Sequence, residues 1–340
     1  MNKSFKCVFL IWMLGCLLPG LANAQACDRA CLESFVDDYL DALVDNDPDA
    51  VPLTRNVRFT ENGQQLRLSD GLWQTMQAKG NYRIFVADVP AQQIAFIGNI
   101  YEEHRDPLQM TPALLALRLR IEDQAISEIE HFVVRSSSAA ERIADMQPRK
   151  AFVQALPEEA RMSRQALLET ANLYFTGMQK NDGLMDYPFA DDCNRLENGM
   201  QTTNAPTPPG EVRPDPSDAS VYSIQWTCME QFQSGLIFFV NRIRDRRFVA
   251  VDEERGLVFA FAFFDHSGGE FRHGVTPDGR QVTAGPVQPW TWGIAELFKV
   301  YDGKLHEIEA ILERVPYGMN SGWSSWEKGM SDELQDATMR

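Results

Sequence analysis

Beyond its first two dozen residues the chain has no apolar run long enough to cross a membrane. The best later stretch, Gly235 to Val240, is short and bounded by Asn241 and Arg242, whereas a spanning helix needs about 20 apolar residues. No membrane insertion is therefore expected. Basic residues are also scarce. Lys and Arg number 32 against 48 Asp and Glu, and the net charge is −16. That balance excludes the Lys/Arg patches that neutralise nucleic-acid phosphates, so no nucleic-acid partner is expected. It equally disfavours an anionic membrane surface, and its plainest consequence is solubility. Metal-ligand spacings are missing as well: no Cys-x-x-Cys, no His pair and no His-Glu-x-x-His occurs, which excludes the common zinc sites. A Gly-x-Ser-x-Gly elbow, a P-loop and a dinucleotide glycine fingerprint are all absent. The sequence thus predicts no metal and no bound nucleotide cofactor.

The N-terminus supplies the apolar run the rest lacks. Lys3 and Lys6 precede an apolar stretch from Cys7 to about Leu18, Pro19-Gly20 break it, and Ala22-Asn23-Ala24 follows. Charge, apolar core and an A-x-A site read as a signal peptide, residues 1–24, removed after Ala24. Leu14-Gly15 before Cys16 offers a lipoprotein reading, but the apolar run continues past Cys16. The expectation is an exported protein, periplasmic or secreted. Lys3 and Lys6 are the only charges in that segment, so its loss takes the charge from −16 to −18. Four cysteines then remain, and an even number in an exported chain predicts disulfides, with three connectivities open. Cys27–Cys31 and Cys193–Cys228 are favoured, because each pair then lies inside one half of the chain.

The halves repeat one another. YLDALVDNDPDAVPLTRNVRFTENG (Tyr39 to Gly63) matches YFTGMQKNDGLMDYPFADDCNRLENG (Tyr174 to Gly199) in its aromatic start, Asn-Asp, proline, arginine and Glu-Asn-Gly. Downstream, Gly71-Leu72 answers Gly235-Leu236, Asp88 answers Asp252, Glu128-Ile129-Glu130 answers Glu307-Ile308-Glu309, and Arg135 answers Arg314, in the same order. The proline-rich 202–220 and the Gly/Pro-rich 267–289 read as loop insertions. The expected domains are 25–135 and 161–318, a linker at 136–160 and an aromatic tail at 319–340.

Each copy predicts an amphipathic helix first, residues 30–44 and 164–180, with Phe35, Tyr39, Leu40 and Leu43 at helical spacing. A second helix is expected at 69–77 and 228–240. Long strands close each copy: 82–86, 93–102, 113–121 and 126–135 in the first, and 246–252, 257–265, 290–301 and 305–314 in the second. Asp302-Gly303 marks a two-residue hairpin. Helices followed by an antiparallel meander give the α+β class.

With Asp302-Gly303-Lys304 before the last strand, each copy resembles the nuclear transport factor 2-like cone fold, including SnoaL-like polyketide cyclases and ketosteroid isomerase relatives. FTENG/RLENG together with DEERG (Asp252 to Gly256) and VPYGMNSGW (Val315 to Trp323) is similar to a group of secreted tandem SnoaL-like proteins. That resemblance implies two tandem cone-shaped α+β barrels, each a curved antiparallel sheet around helices with an apolar pocket at the open end. The fold hosts isomerases, dehydratases, cyclases, hydrolases and plain binding modules, so function must be sought in the site.

The candidate residues lie mainly in the second copy. Asp265-His266 ends the apolar strand LVFAFAFFDH, and strand alternation lets at most one of them face a pocket. Either is a candidate acid or base; the alternative is a strand-end turn held by Asp265. Arg242 and Arg244, in a basic cluster with Arg246 and Arg247, are candidates to steady developing negative charge, or else pair with nearby acids. Glu197 is a candidate base if buried, or a solvated turn residue if the Asn-Gly hairpin dominates. Arg195 is placed to pair with it and, with Phe264, Tyr317 and Trp323, to contact substrate; the tail aromatics either lid the pocket or cap the core or the interface between the halves. Strand alternation places His131 to face inward in the first copy, where the second has Ala310; the alternative is a satisfied core histidine. The expected function is cofactor-independent proton transfer (isomerase, dehydratase or lyase) on a small, partly apolar or aromatic molecule in the second pocket. The rival is a non-catalytic exported carrier for an apolar small molecule. Homo-oligomerisation stays open.

Overall fold

The structure is a computed structural model that describes residues 26–338. The signal-peptide expectation and the last two tail residues lie outside the described residues.

The first half opens with α1 (Arg29–Asp45), whose buried Leu32, Val36, Tyr39, Leu40 and Leu43 repeat every three or four positions and form one apolar face. Asp28 caps its start by accepting from the Cys31 amide, and Asn46 ends it in the left-handed region at φ 54°. Six strands follow, with a one-turn helix among them: β1 (Leu53–Glu61), β2 (Gln64–Gln65), α2 (Leu72–Thr75), β3 (Met76–Asp88), β4 (Gln93–Glu103), β5 (Met110–Glu122) and β6 (Ala125–Val134). They form one sheet in the order β2-β1-β6-β5-β4-β3. Two helices, α3 (Ser137–Ala144) and α4 (Lys150–Val153), occupy the segment expected to be irregular linker.

The second half repeats the plan with α5 (Arg164–Lys180), β7 (Phe189–Glu197), β8 (Met200–Gln201), α6 (Cys228–Gln233), β9 (Arg242–Asp252) and β10 (Leu257–His266). After a small hairpin of β11 (His273–Val275) and β12 (Gln281–Thr283) come β13 (Trp290–Tyr301), β14 (Lys304–Val315), α7 (Trp326–Gly329) and β15 (Leu334–Asp336). Its sheet runs β8-β7-β14-β13-β10-β9-β15. Apart from the added β15, this is the first sheet's order, and in each sheet the first long strand pairs parallel with the last. Asn181 closes α5 in the left-handed region as Asn46 closes α1, which explains the repeated Asn-Asp.

Glu-Asn-Gly acquires a structural reason. Asn62 and Asn198 each sit in a tight turn at positive φ, followed by Gly63 and Gly199, also at positive φ. The Asn62 side chain donates to the Val133 carbonyl and accepts from the Val133 amide, and Asn198 does the same to Leu312. Each Asn therefore continues the sheet with its side chain where the backbone turns away.

Both faces of each sheet are apolar because both are covered. In β4, Ile94, Phe96 and Ile100 face α1, while Ala95 and Ile97 face the other sheet. The same alternation in β10 sends Ala260, Ala262 and Phe264 toward α5, and Phe259 and Phe261 toward the first sheet. The two sheets thus pack back to back through one shared core containing Tyr82, Ile97, Leu114, Phe132, Phe259 and Leu297. Reciprocal ion pairs bracket it. Arg29 at the start of α1 grips Asp252 of the second half at 2.6 and 2.8 Å, and Arg164 at the start of α5 grips Asp88 of the first at 3.0 and 2.6 Å.

Three sequence expectations need correction. The helix expected at 228–240 ends at Gln233, because Gly235 takes φ +67° and the chain turns. The helix expected at 69–77 shrinks to α2, and β3 takes over at Met76. β9 starts at Arg242 rather than 246, so all four arginines of the basic cluster are strand residues. The favoured disulfides, Cys27–Cys31 and Cys193–Cys228, are both present. No described helix is long and apolar enough to cross a membrane.

Candidate functional site

The cavity of interest lies on the helix-covered, concave face of the second sheet and holds about 340 Å³. Strand alternation decides what reaches it. On β10 the concave positions are Ala262, Phe264 and His266, and on β13 they are Trp290, Trp292, Ile294 and Glu296. Met178 of α5, Ile237, Phe239, Val240, Phe264, Trp292, Ile294 and Leu312 make an apolar lining, and Arg195, Glu197, Tyr222 and His266 are polar exceptions. Arg142, from α3 in the segment between the halves, completes one side. Its Nε donates to the Asn198 carbonyl.

The inner wall is a polar cluster. Arg195 is 3 % exposed. It donates to Tyr174 Oη (3.2 Å), Gln231 Oε1 (2.6 Å) and Thr202 Oγ1 (3.0 Å), and its Nε lies 3.3 Å from a Glu197 oxygen. Burial disfavours its charge, but Tyr174 and Glu197 more than compensate and raise its pKa. Glu296, on the same face two strands away, pairs in register with Ala310, which pairs with Glu197. Glu296 is 1 % exposed and its Oε2 has no partner. Burial, helped by the negative charge of Glu197, pushes its carboxyl up to about 8 against the opposing pull of Arg195 and Tyr174. It is therefore a neutral acid near pH 7. Burial, and next the Glu197 charge, also raise the Tyr222 hydroxyl, which keeps it protonated.

The mouth is aromatic. His266 stacks on Trp290 at 4.0 Å and 11°, Trp290 meets Trp292 edge-on, and Phe239 lies 5.9 Å from His266. Burial drives the imidazole pKa down to about 4, despite its bond to the Phe264 carbonyl and the nearby Asp265 charge. A carbonyl only accepts, so Nδ1 carries the proton and Nε2 keeps a lone pair. Six residues of β13 separate Trp290, the register partner of His266, from Glu296, about 20 Å at strand rise. The histidine and the buried acid therefore do not converge on one small molecule.

The structure sorts the sequence candidates by face. Arg195, Glu197, Phe264 and His266 line the cavity. Asp265 lies on the opposite face of β10, where it accepts from Arg242 (2.8 and 2.5 Å), Arg244 (2.9 and 3.2 Å) and Thr291 (2.6 Å). Burial works to raise its pKa, yet the Arg244 and Thr291 hydrogen bonds hold it below the usual carboxylate range. Asp265, Arg242 and Arg244 thus form a closed ion cluster outside the pocket; Arg244 also donates to the Met319 and Gly329 carbonyls and clamps the tail. Trp323 is no lid. It sits between the Arg58 and Arg118 guanidiniums of the first half, 4.3 and 4.5 Å from its ring, and donates to Thr60 Oγ1. Tyr317 is 43 % exposed, bonded to Ser267 outside the cavity. Sequence reasoning missed Glu296, Tyr174, Tyr222, Trp290, Trp292 and Arg142. One signal was available: Glu296 is the single acid inside the strand WTWGIAELFKVY.

The first half fills the position that is open in the second. The register row Glu197–Ala310–Glu296 corresponds to Glu61–His131–Leu117. There the His131 ring fills the space. Its Nε2 lies 2.8 Å from Tyr39 Oη, its Nδ1 lies 3.6 Å from Glu61, and the Phe59 ring is 4.9 Å away. Replacing imidazole by the Ala310 methyl, with Arg195 in place of Phe59, opens room and introduces charge. Among the described residues no group of three or more His, Cys, Asp or Glu is placed to hold a metal ion.

The family described as Domain of unknown function (DUF8021) matches residues 25–133 and 160–312. A search of curated proteins by sequence finds no match. Among solved structures the chain is similar to AclR from Streptomyces galilaeus, proposed as a hydroxylase. The identity is 11 %, the TM-score 0.28, and the match covers 39 % of this chain and 92 % of that one. It is also similar to a de novo designed protein with a curved β-sheet, at 14 % identity and TM-score 0.25, covering 45 % and 88 %.

Proposed function

The chain belongs to the DUF8021 family, and from the pocket of its second half we propose a cofactor-independent enzyme that moves a proton on a small, partly apolar or aromatic molecule. The reaction is of the isomerase, dehydratase or lyase type. Each half is read as a SnoaL-like cone, 25–135 and 161–318, in a protein exported after loss of residues 1–24. The two disulfides fit that export.

One observation carries the reading: an apolar cavity whose inner wall presents the Glu197 carboxylate beside the Arg195 guanidinium. Glu197 takes the proton, and Arg195 holds the oxygen on which negative charge develops. Tyr222, which also lines the cavity and stays protonated, is a second donor to that oxygen. Glu296 stands behind the wall as a positioning residue: kept neutral, it leaves Glu197 as the cluster's one carboxylate. His266 shapes the aromatic mouth.

The test uses enolisable aromatic ketones such as 2-tetralone in D2O, with exchange at the carbon next to the carbonyl followed by NMR. Wild type should accelerate exchange, and Glu197→Gln should lose about 10²–10⁴-fold while still binding, the range a positioned base supplies. Exchange unchanged in Glu197→Gln would refute the assignment. The carrier reading draws support from the distance between His266 and Glu296. It would prevail if a molecule co-purified unchanged and no panel member turned over.

A further inference from the structure

We infer that the pocket takes an aromatic or polycyclic acid, seated with its carboxylate at the mouth between Arg142 and Arg314 and its ring system in the throat. This rests on the reading of the second-half cavity as a small-molecule site. In a chain of net charge −16, acids usually quench exposed arginines, yet these two are unquenched. Arg142 lines the cavity, its Nε is bound to a backbone carbonyl, and no described carboxylate forms an ion pair with it. Arg314 is the next residue on the concave face of β14 after the lining residue Leu312. It pairs in register with Trp292 and lays its guanidinium 5.1 Å over the Trp290 ring. It too has no ion-pair partner among the described residues. The Asn198 turn links the chain segments that carry them, since its side chain bonds the backbone of Leu312, two residues before Arg314, and its carbonyl accepts from Arg142.

The remaining mouth is neutral. His266 is held uncharged and stacked, and the flanking Trp290, Trp292 and Phe239 offer ring faces and edges. Two guanidiniums above an aromatic collar suit a carboxylate on a ring, because Arg recognises carboxylates bidentately and aromatic pairs favour stacked or edge-on rings. The inner wall then meets the far end. From the Glu197 row to the Arg314 row is four residues of β14, about 13 Å at strand rise, the span of two or three fused rings with a polar substituent opposite the acid. A cationic ligand would face both arginines, and a purely apolar one would leave them unused.

The experiment compares 2-naphthoate with 2-naphthalenemethanol, equal in ring system and different in charge, by tryptophan fluorescence and calorimetry on the full exported chain. Wild type should prefer the acid at least tenfold. Arg142→Met with Arg314→Met should bring the preference below about threefold while the alcohol's affinity stays within twofold, and each single variant should fall between. Because both arginines are surface residues, a melting temperature close to wild type will show that the variants fold. Equal affinity for the two probes, no binding of either, or a preference that survives the double variant overturns the inference. Arginine-dependent naphthoate binding without tetralone exchange would retain the inference and sink the enzymatic reading; exchange by a protein indifferent to the acid would do the reverse.

Discussion

At the scale of single residues, one buried acid contributes to the pH behaviour of the second half. Glu296 has a folded pKa of about 8, above its ordinary value, because burial penalises the carboxylate. Its folded state therefore binds more protons than the unfolded chain between those two values, and its contribution is fully present below the unfolded pKa and declines as pH rises through about 8. Glu296→Gln should flatten the loss of stability between about pH 5 and pH 8, read from thermal unfolding at a series of pH values. The wild-type loss due to this group is on the order of a few kcal/mol. His266 acts in the other direction. With its pKa lowered to about 4 by burial, its contribution is complete above the unfolded value and is lost as pH falls toward 4. The pocket itself depends on Ala310. Ala310→His should restore the first half's filled arrangement, abolishing naphthoate binding in the fluorescence assay. Retained binding would show that the cavity does not depend on that small side chain.

At the scale of elements, the repeated asparagines and the longer disulfide act as staples. Asn62→Ala and Asn198→Ala each remove two hydrogen bonds to the last strand of their sheet and should each cost about 1–3 kcal/mol, measured by urea unfolding, since backbone groups of Val133 or Leu312 lose their partners. Cys193–Cys228 ties β7 to α6 across a separation of 35 residues, and Cys27–Cys31 spans only 4. Loop-closure entropy then predicts about 3–4 kcal/mol lost on replacing the first pair by serine and about 2 for the second. Equal losses would show that something other than loop closure governs what the two bridges contribute. The helices show how far local sequence reaches. The extents of α1 and α5 were legible in their apolar spacing and their closing asparagines. The second helix of each copy was not, because its apolar residues owe their pattern to packing under the sheet, and Gly235 turns the chain where periodicity would continue it.

At the scale of the whole molecule, two sheets back to back make one body. Their convex faces share an apolar core, and Arg29–Asp252 and Arg164–Asp88 tie each helix start to the opposite sheet. Asp88 is fully buried and also accepts from the Val251 amide. Arg164→Met should therefore cost about 3–5 kcal/mol by leaving a buried charge unpaired, and both halves should be affected. Local probes in the two halves that report separate unfolding steps would contradict coupling through this interface. The tail extends the coupling: β15 joins the edge of β9, and Trp323 docks between Arg58 and Arg118 of the first half. That docking decides between the readings the sequence left open for the tail aromatics: Trp323 caps the interface between the halves and is no pocket lid.

The order of the first helix and long strands of each copy, the repetition of the unit and the favoured pairing of the four later cysteines could be read from sequence, because helical spacing, strand alternation and turn residues act over a few positions. The same alternation separates Asp265 from His266, but only the covering elements decide which face is pocket and which is junction. Register across strands placed Ala310 beside Glu296 and Glu197, and so left room where the first half holds the His131 ring. The chain segment between the halves then folded back to add Arg142 to the rim. These are contacts between residues distant in sequence, and their energies depend on burial that no local pattern encodes.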